Sequence, residues 1–111
     1  FNPKLNSTLR IGGIVRRAAH PARPVALNGG PQMVEVSRDG RRVYVTNSLY
    51  TPLDEQFYPD GIKGWMMKAD VDPDTGEMRM DPHFFPQFNG MRPHQTRLQG
   101  GDASSDSYCY E

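Results

Sequence analysis

The richest run of chemically capable side chains lies near the end of the chain, where Arg92, His94, Gln95, Thr96 and Arg97 precede GGDASSDSYCY. An imidazole at His94 can ligate a metal ion or carry a proton, because it changes charge near neutral pH and offers a nitrogen lone pair. Gly100 and Gly101 can take backbone angles closed to other residues, which lets the chain turn Asp102 back toward a site. Asp102 or Asp106 could then orient His94 through its second ring nitrogen. The same serines and aspartates would equally cap a plain turn through local bonds to the backbone. A metal site needs three or four ligands, and no second histidine stands at helical or strand spacing from His94.

Other reactive types are placed less favourably. His20 lies in AAHPARP and His83 follows Pro82, positions that predict solvated rings. Cys109, flanked by Tyr108 and Tyr110, reads as a small packed residue, and no neighbouring base marks it as a nucleophile. Asp54, Glu55 and Asp60 read as surface acids of a loop. Gly29-Gly30-Pro31 lacks the lysine and following helix of a phosphate loop, so it predicts a turn.

The elements that must position these groups are strands. Gln32 to Ser37 is rich in β-formers, Arg38-Asp39-Gly40 is a tight-turn signal, and Arg42 to Asn47 alternates with Val43 and Val45 on one face. Gly64 to Val71 alternates again, placing Trp65, Met67, Ala69 and Val71 together. After the turn sequence Asp72-Pro73-Asp74-Thr75-Gly76, Glu77 to Met80 supplies a fourth strand. The result is an up-and-down antiparallel meander with apolar residues on both faces. Such a sheet is stable when packed against others like it, as in a blade of a β-propeller; a small independent sandwich or barrel is the other architecture that fits. By strand direction, the approach through Gly29, the loop 48–63 and everything after His83 share one rim. Tyr50, Phe57 and Tyr58 predict that this loop is ordered and packed. Residues 1–31 read as an irregular linker, with short strands only at 7–11 and 14–16.

Composition bounds the reading. Leu, Ile, Val and Phe total 21 of 111 residues, too few for an ample core, while glycine and proline together reach the same number. Thirteen basic and thirteen acidic residues cancel, so charge neither unfolds the chain nor marks a nucleic-acid partner. No apolar run is long enough to span a membrane. One cysteine excludes an internal disulfide framework and a cysteine-based zinc site. The composition permits a β-rich, turn-rich unit or a piece of something larger.

Three segments in order, GGPQMVEVSRDGRRVYVTNSLY, DEQFYPDGIKGWMMKADVD and HQTRLQGGDASSDSYCY, resemble the C-terminal part of the selenium-binding protein family. That family includes bacterial methanethiol oxidases. The resemblance implies an all-β chain: a propeller of which 1–31 is a linker from the preceding blade, 32–88 a four-stranded blade with its long 48–63 loop, and 89–111 a tail carrying the H-x-x-R-x-x-G-G-D-x-S-S-D motif. It implies copper-dependent oxidation of methanethiol, a small thiol, to formaldehyde, hydrogen sulfide and hydrogen peroxide. Copper in the family is held by histidines, and His94 matches the one in the tail motif. Arg97 and Asp102 would support that ligand or fix its loop. The family's other histidines and its selenium-associated cysteine lie upstream, so His20 and His83 match no ligand and Cys109 does not inherit selenium binding. A fragment with one ligand should be inactive by itself, and should associate with the rest of its propeller or with copies of itself. Cytoplasm and periplasm both fit, since any export signal would precede Phe1. Two other readings stay open: a non-catalytic selenium-binding or protein-interaction module, and a hydrolytic propeller of the lactonase type, which lacks its metal-binding carboxylates here.

Overall fold

The computed structural model describes residues 2–47 and 51–103. Its first element is a hairpin the sequence does not announce: β1 (Gly13–Ala19) and β2 (Ala26–Gly29) pair antiparallel, with the register slipping between Gly13 and Ala18. The stretch predicted to be largely irregular is therefore more than a third strand, 7 residues in β1 and 4 in β2; the short strand expected at 14–16 lies within β1, whereas 7–11 forms none. Its hairpin loop, His20 to Val25, contains two prolines and is closed by the His20 amide donating to the Val25 carbonyl at 3.1 Å.

The meander forms as expected. Strands β3 (Met33–Val36), β4 (Arg42–Thr46), β5 (Gly64–Val71) and β6 (Met78–Met80) lie side by side in chain order. Val34 stands opposite Val45, and Val45 opposite Met67. Period-two alternation then gathers Val43, Val45, Trp65, Met67 and Ala69 on one face. There they pack with Leu27 of β2 and with Phe85, while Leu9, Ile11 and Ala18 cover part of the layer. The N-terminal third is thus the second layer of the core. Two-residue β7 (Gln87–Phe88) pairs with the start of β5, on the edge whose far end β6 occupies. Between them Phe84 and Phe85 go to opposite sides: Phe84 meets Tyr44 edge-on at 5.6 Å, and Phe85 meets Trp65 at 5.9 Å.

Loop 48–63 contains a short helix, α1 (Thr51–Phe57), with Pro52 in its first turn, where a missing amide hydrogen costs nothing. Asn47 joins three elements at this rim. Its buried side-chain amide donates to the Lys63 carbonyl at 2.7 Å and to Asn28 at 3.5 Å, and accepts from the Trp65 amide at 2.9 Å. At the opposite rim the 72–76 turn closes on the Asp72 carboxylate, which accepts the Asp74 and Thr75 amides and is held below its ordinary pKa by them. No described helix is long and apolar enough to cross a membrane.

Two expectations are overturned: Phe57, expected to pack loop 48–63, is 56% exposed (Tyr50 lies outside the described residues), and His20 is not solvated. His20 is buried, at 4% exposure. The hairpin folds its loop inward, so the ring lies 4.6 Å from Phe85 while its Nδ1 accepts the Ala22 amide at 3.1 Å.

Candidate functional site

Beyond β7 the chain crosses the sheet face opposite the core and is fastened along the way. It first passes over Gly64, where a Cβ would collide with the Met91 carbonyl and stand 2.9 Å from the Pro93 ring. Glycine is needed here for close approach. The Arg92 guanidinium then donates to the Asp54 carboxylate of α1 at 2.7 Å, with both side chains largely shielded. The buried Thr46 hydroxyl, at the end of β4, donates to the His94 carbonyl at 3.2 Å.

The imidazole of His94 itself is exposed. Thr96 turns inward and Arg97 outward. A 3₁₀ turn at Gln99–Gly101 follows, with φ of 76° at Gly100 and 67° at Gly101, left-handed angles that glycine adopts without a Cβ penalty. They turn Asp102 toward the β3–β4 hairpin. Its carbonyl accepts the Arg38 amide at 2.7 Å, its carboxylate accepts Arg42 at 2.6 Å, and the neighbouring Ala103 bridges to Ser37.

Asp102 therefore acts on β4 through Arg42. The bond to Asp102, more than the nearby Asp39, raises the guanidinium's affinity for its proton. Asp39 is held below its ordinary value, chiefly by the Ser37 hydroxyl and the Arg41 amide. The tail starts on the rim of loop 48–63, as strand direction predicted, but ends beside the β3–β4 turn at the other rim. His83 is exposed, as expected. Cys109 and Asp106 lie outside the described residues.

The supports of the tail were poorly marked in the sequence. Thr46 reads as one more strand residue, Gly64 as a strand start, and Asp54 as a solvated acid; only the structure shows that Asp54 is paired and shielded. A cavity of about 410 Å³ opens beside the tail, lined by Ile62, Lys63, Gly64, Phe88, Gly90 and Arg92 among others. His94 is not in its wall.

Residues 1–109 match the family model described as 56kDa selenium binding protein. A methanethiol oxidase of Xenopus tropicalis is 40% identical over 95% of this chain and 27% of its own. Selenium-binding protein 3 of Arabidopsis thaliana is 35% identical over 94% of this chain and 26% of its own. The X-ray structure of a hypothetical selenium-binding protein from Sulfolobus tokodaii superposes with a TM-score of 0.76 at 56% identity, covering 93% of this chain and 22% of that one. The chain belongs to the selenium-binding protein family. It spans about a quarter of the length of these relatives.

The copper that the resemblance implies can be tested against the side chains present. An exposed imidazole is a good donor for that metal. Among the described residues, however, no three of His, Cys, Asp and Glu lie together as a ligand set. One exposed imidazole is a single donor, and the described residues do not fit a whole copper site.

Proposed function

We propose that this chain is the C-terminal portion of a methanethiol oxidase, contributing one β-propeller blade (32–88), its linker (1–31) and a tail (89–111) that brings His94 to a copper site. The observation that carries the reading is similarity along nearly the whole chain to proteins named methanethiol oxidase, which are 37–40% identical in two Xenopus species. The exposed imidazole on a firmly attached tail supports it from the chemical side. The reaction converts methanethiol, oxygen and water to formaldehyde, hydrogen sulfide and hydrogen peroxide. Copper, when bound, would supply the redox chemistry with oxygen. This chain's part is to present a nitrogen donor and hold it still; Arg97 and Asp102 belong to the support, Asp102 through Arg42.

On this reading the 111 residues alone neither bind copper tightly nor turn over thiol, and their natural partner is the rest of the propeller. The test is to assay the intact gene product with methanethiol under oxygen and measure all three products. Formation of the three in equal amounts is expected. Stoichiometric selenium binding with no consumption of thiol would instead favour the non-catalytic carrier or interaction module, the second reading, which the relative named selenium-binding protein keeps in view.

A further inference from the structure

We infer that His20 is a pH-sensitive latch: its neutral ring clasps the β1–β2 hairpin loop onto Phe85, and a second proton on that ring releases the loop. The geometry fixes which nitrogen the neutral ring protonates. Nδ1 accepts the Ala22 amide at 3.1 Å, so its lone pair is in use and the ring hydrogen sits on Nε2. That Nε2 is buried and has no hydrogen-bond partner among the described residues. A second proton can enter only at Nδ1, where it would point at the Ala22 N–H. The charged ring would then hold two donors, one facing another donor and one facing no acceptor, in a buried site. Water supplies the acceptors that this site lacks, so the charged ring leaves it.

The surrounding elements offer the cation no compensation. An aromatic face can hold a positive charge, but the Arg23 guanidinium already lies over the Phe85 ring, 5.9 Å from its centre, and repels an imidazolium. In the segment of Phe85, Asp81 is held by Lys68 and by the His83 amide, each at 2.7 Å, and His83 is exposed. Lys68 of β5 is shared with Asp70 of the same strand. Strand β1 brings only the cations Arg16 and Arg17, the second paired with Asp60, and β2 carries no charge. Burial and Arg23 together hold the ring's pKa below its ordinary value, in agreement with this geometry. Phe85, itself buried, contacts both His20 and Trp65, so release of the loop bares the apolar layer on which the hairpin rests. The latch thereby sets how firmly residues 1–31 are held on the meander.

The test uses the intact gene product together with His20→Gln and His20→Phe, neither of which titrates. Mass spectrometry of the peptide spanning residues 18–27 gives two readings. Exchange of the imidazole C2 hydrogen reports the titration of His20 itself, and amide exchange, corrected for its intrinsic pH dependence, reports opening of the loop. Below the ordinary histidine value the open loop binds a proton that the closed loop refuses. Opening should therefore grow by up to about tenfold for each pH unit below about 6.5. Both variants should lose that pH dependence, and residues 42–47 of the central sheet should stay protected in all three proteins. The latch is overturned by opening that does not change with pH in the parent, or by an undiminished pH dependence in the variants. It is equally overturned if His20 titrates at or above 6.5 with the loop still closed, or if residues 42–47 lose protection over the same pH range, which would be global unfolding. His20→Gln, which keeps a polar acceptor at the loop, keeps the test decisive should His20→Phe fail to fold.

Discussion

Two buried polar side chains in this molecule behave in opposite ways. Asn47 is satisfied on both its oxygen and its nitrogen, and through them holds β2, the end of loop 48–63 and β5 in place. Replacing it by alanine strands the Trp65 amide and the Lys63 carbonyl, so Asn47→Ala should cost about 1–3 kcal/mol in denaturant unfolding. His20 has a buried Nε2 with no partner among the described residues. Burial, assisted by the charge of Arg23, lowers its pKa from the ordinary 6.5. The unfolded chain therefore takes up the proton first as pH falls, and stability declines below about pH 6.5. His20→Phe keeps the contact with Phe85 and should flatten that part of the stability profile; an unchanged profile would show that the ring is not the group responsible. Sequence could not reveal this burial, because AAHPARP has the composition of an exposed turn, and what buries the ring is Phe85, sixty-five residues further on.

At the scale of elements, the meander was legible because its apolar residues alternate and its turns carry Asp-Gly and Asp-Pro-Asp-Thr-Gly. The β1–β2 hairpin was not. IVRRAA does not alternate, its register slips, and its strands are held by contact with Trp65 and Phe85, which no local pattern encodes. Helix α1 was equally hidden, since seven residues are too few to show a helical period. The edge after β5 depends on one charged cluster: Lys68 reaches Asp81 at 2.7 Å and Asp70 at 3.1 Å, and the Asp81 amide returns to the Lys68 carbonyl at 2.9 Å. The lysine contact first, and then the His83 amide, depress the Asp81 pKa. Its stabilising effect is thus present above the ordinary aspartate range and lost as pH falls through the lowered value. In Lys68→Met the Asp81 titration, followed by carboxyl carbon resonances, should move upward; an unmoved titration would contradict the pairing. Of the candidate site, the histidine and the glycine pair were visible as residue types. The hold on them was not, because it is made by strand and loop residues whose types are ordinary.

For the whole molecule, the low content of large aliphatics has a spatial counterpart. The core face of the sheet is covered at one end by the hairpin, but a cleft of about 190 Å³ remains, lined by Leu9, Ile11, Val34, Val43, Met67 and Met78 among others, and Val34 is 58% exposed. An apolar cleft of this kind is where the rest of a longer chain would pack. If the proposed propeller is right, the isolated 111 residues should self-associate in sedimentation, and Val34→Asp should reduce that association while leaving the β-sheet circular dichroism signal in place. A compact monomer at high concentration would count against it. The central claim is that His94 donates to copper in the intact protein. It is tested most directly by measuring bound copper per chain, by elemental analysis, in the intact gene product and in His94→Ala purified alongside. The expected result is stoichiometric copper in the parent and its loss in the variant, together with loss of thiol oxidation. Stoichiometric copper and full thiol oxidation in His94→Ala would contradict the account.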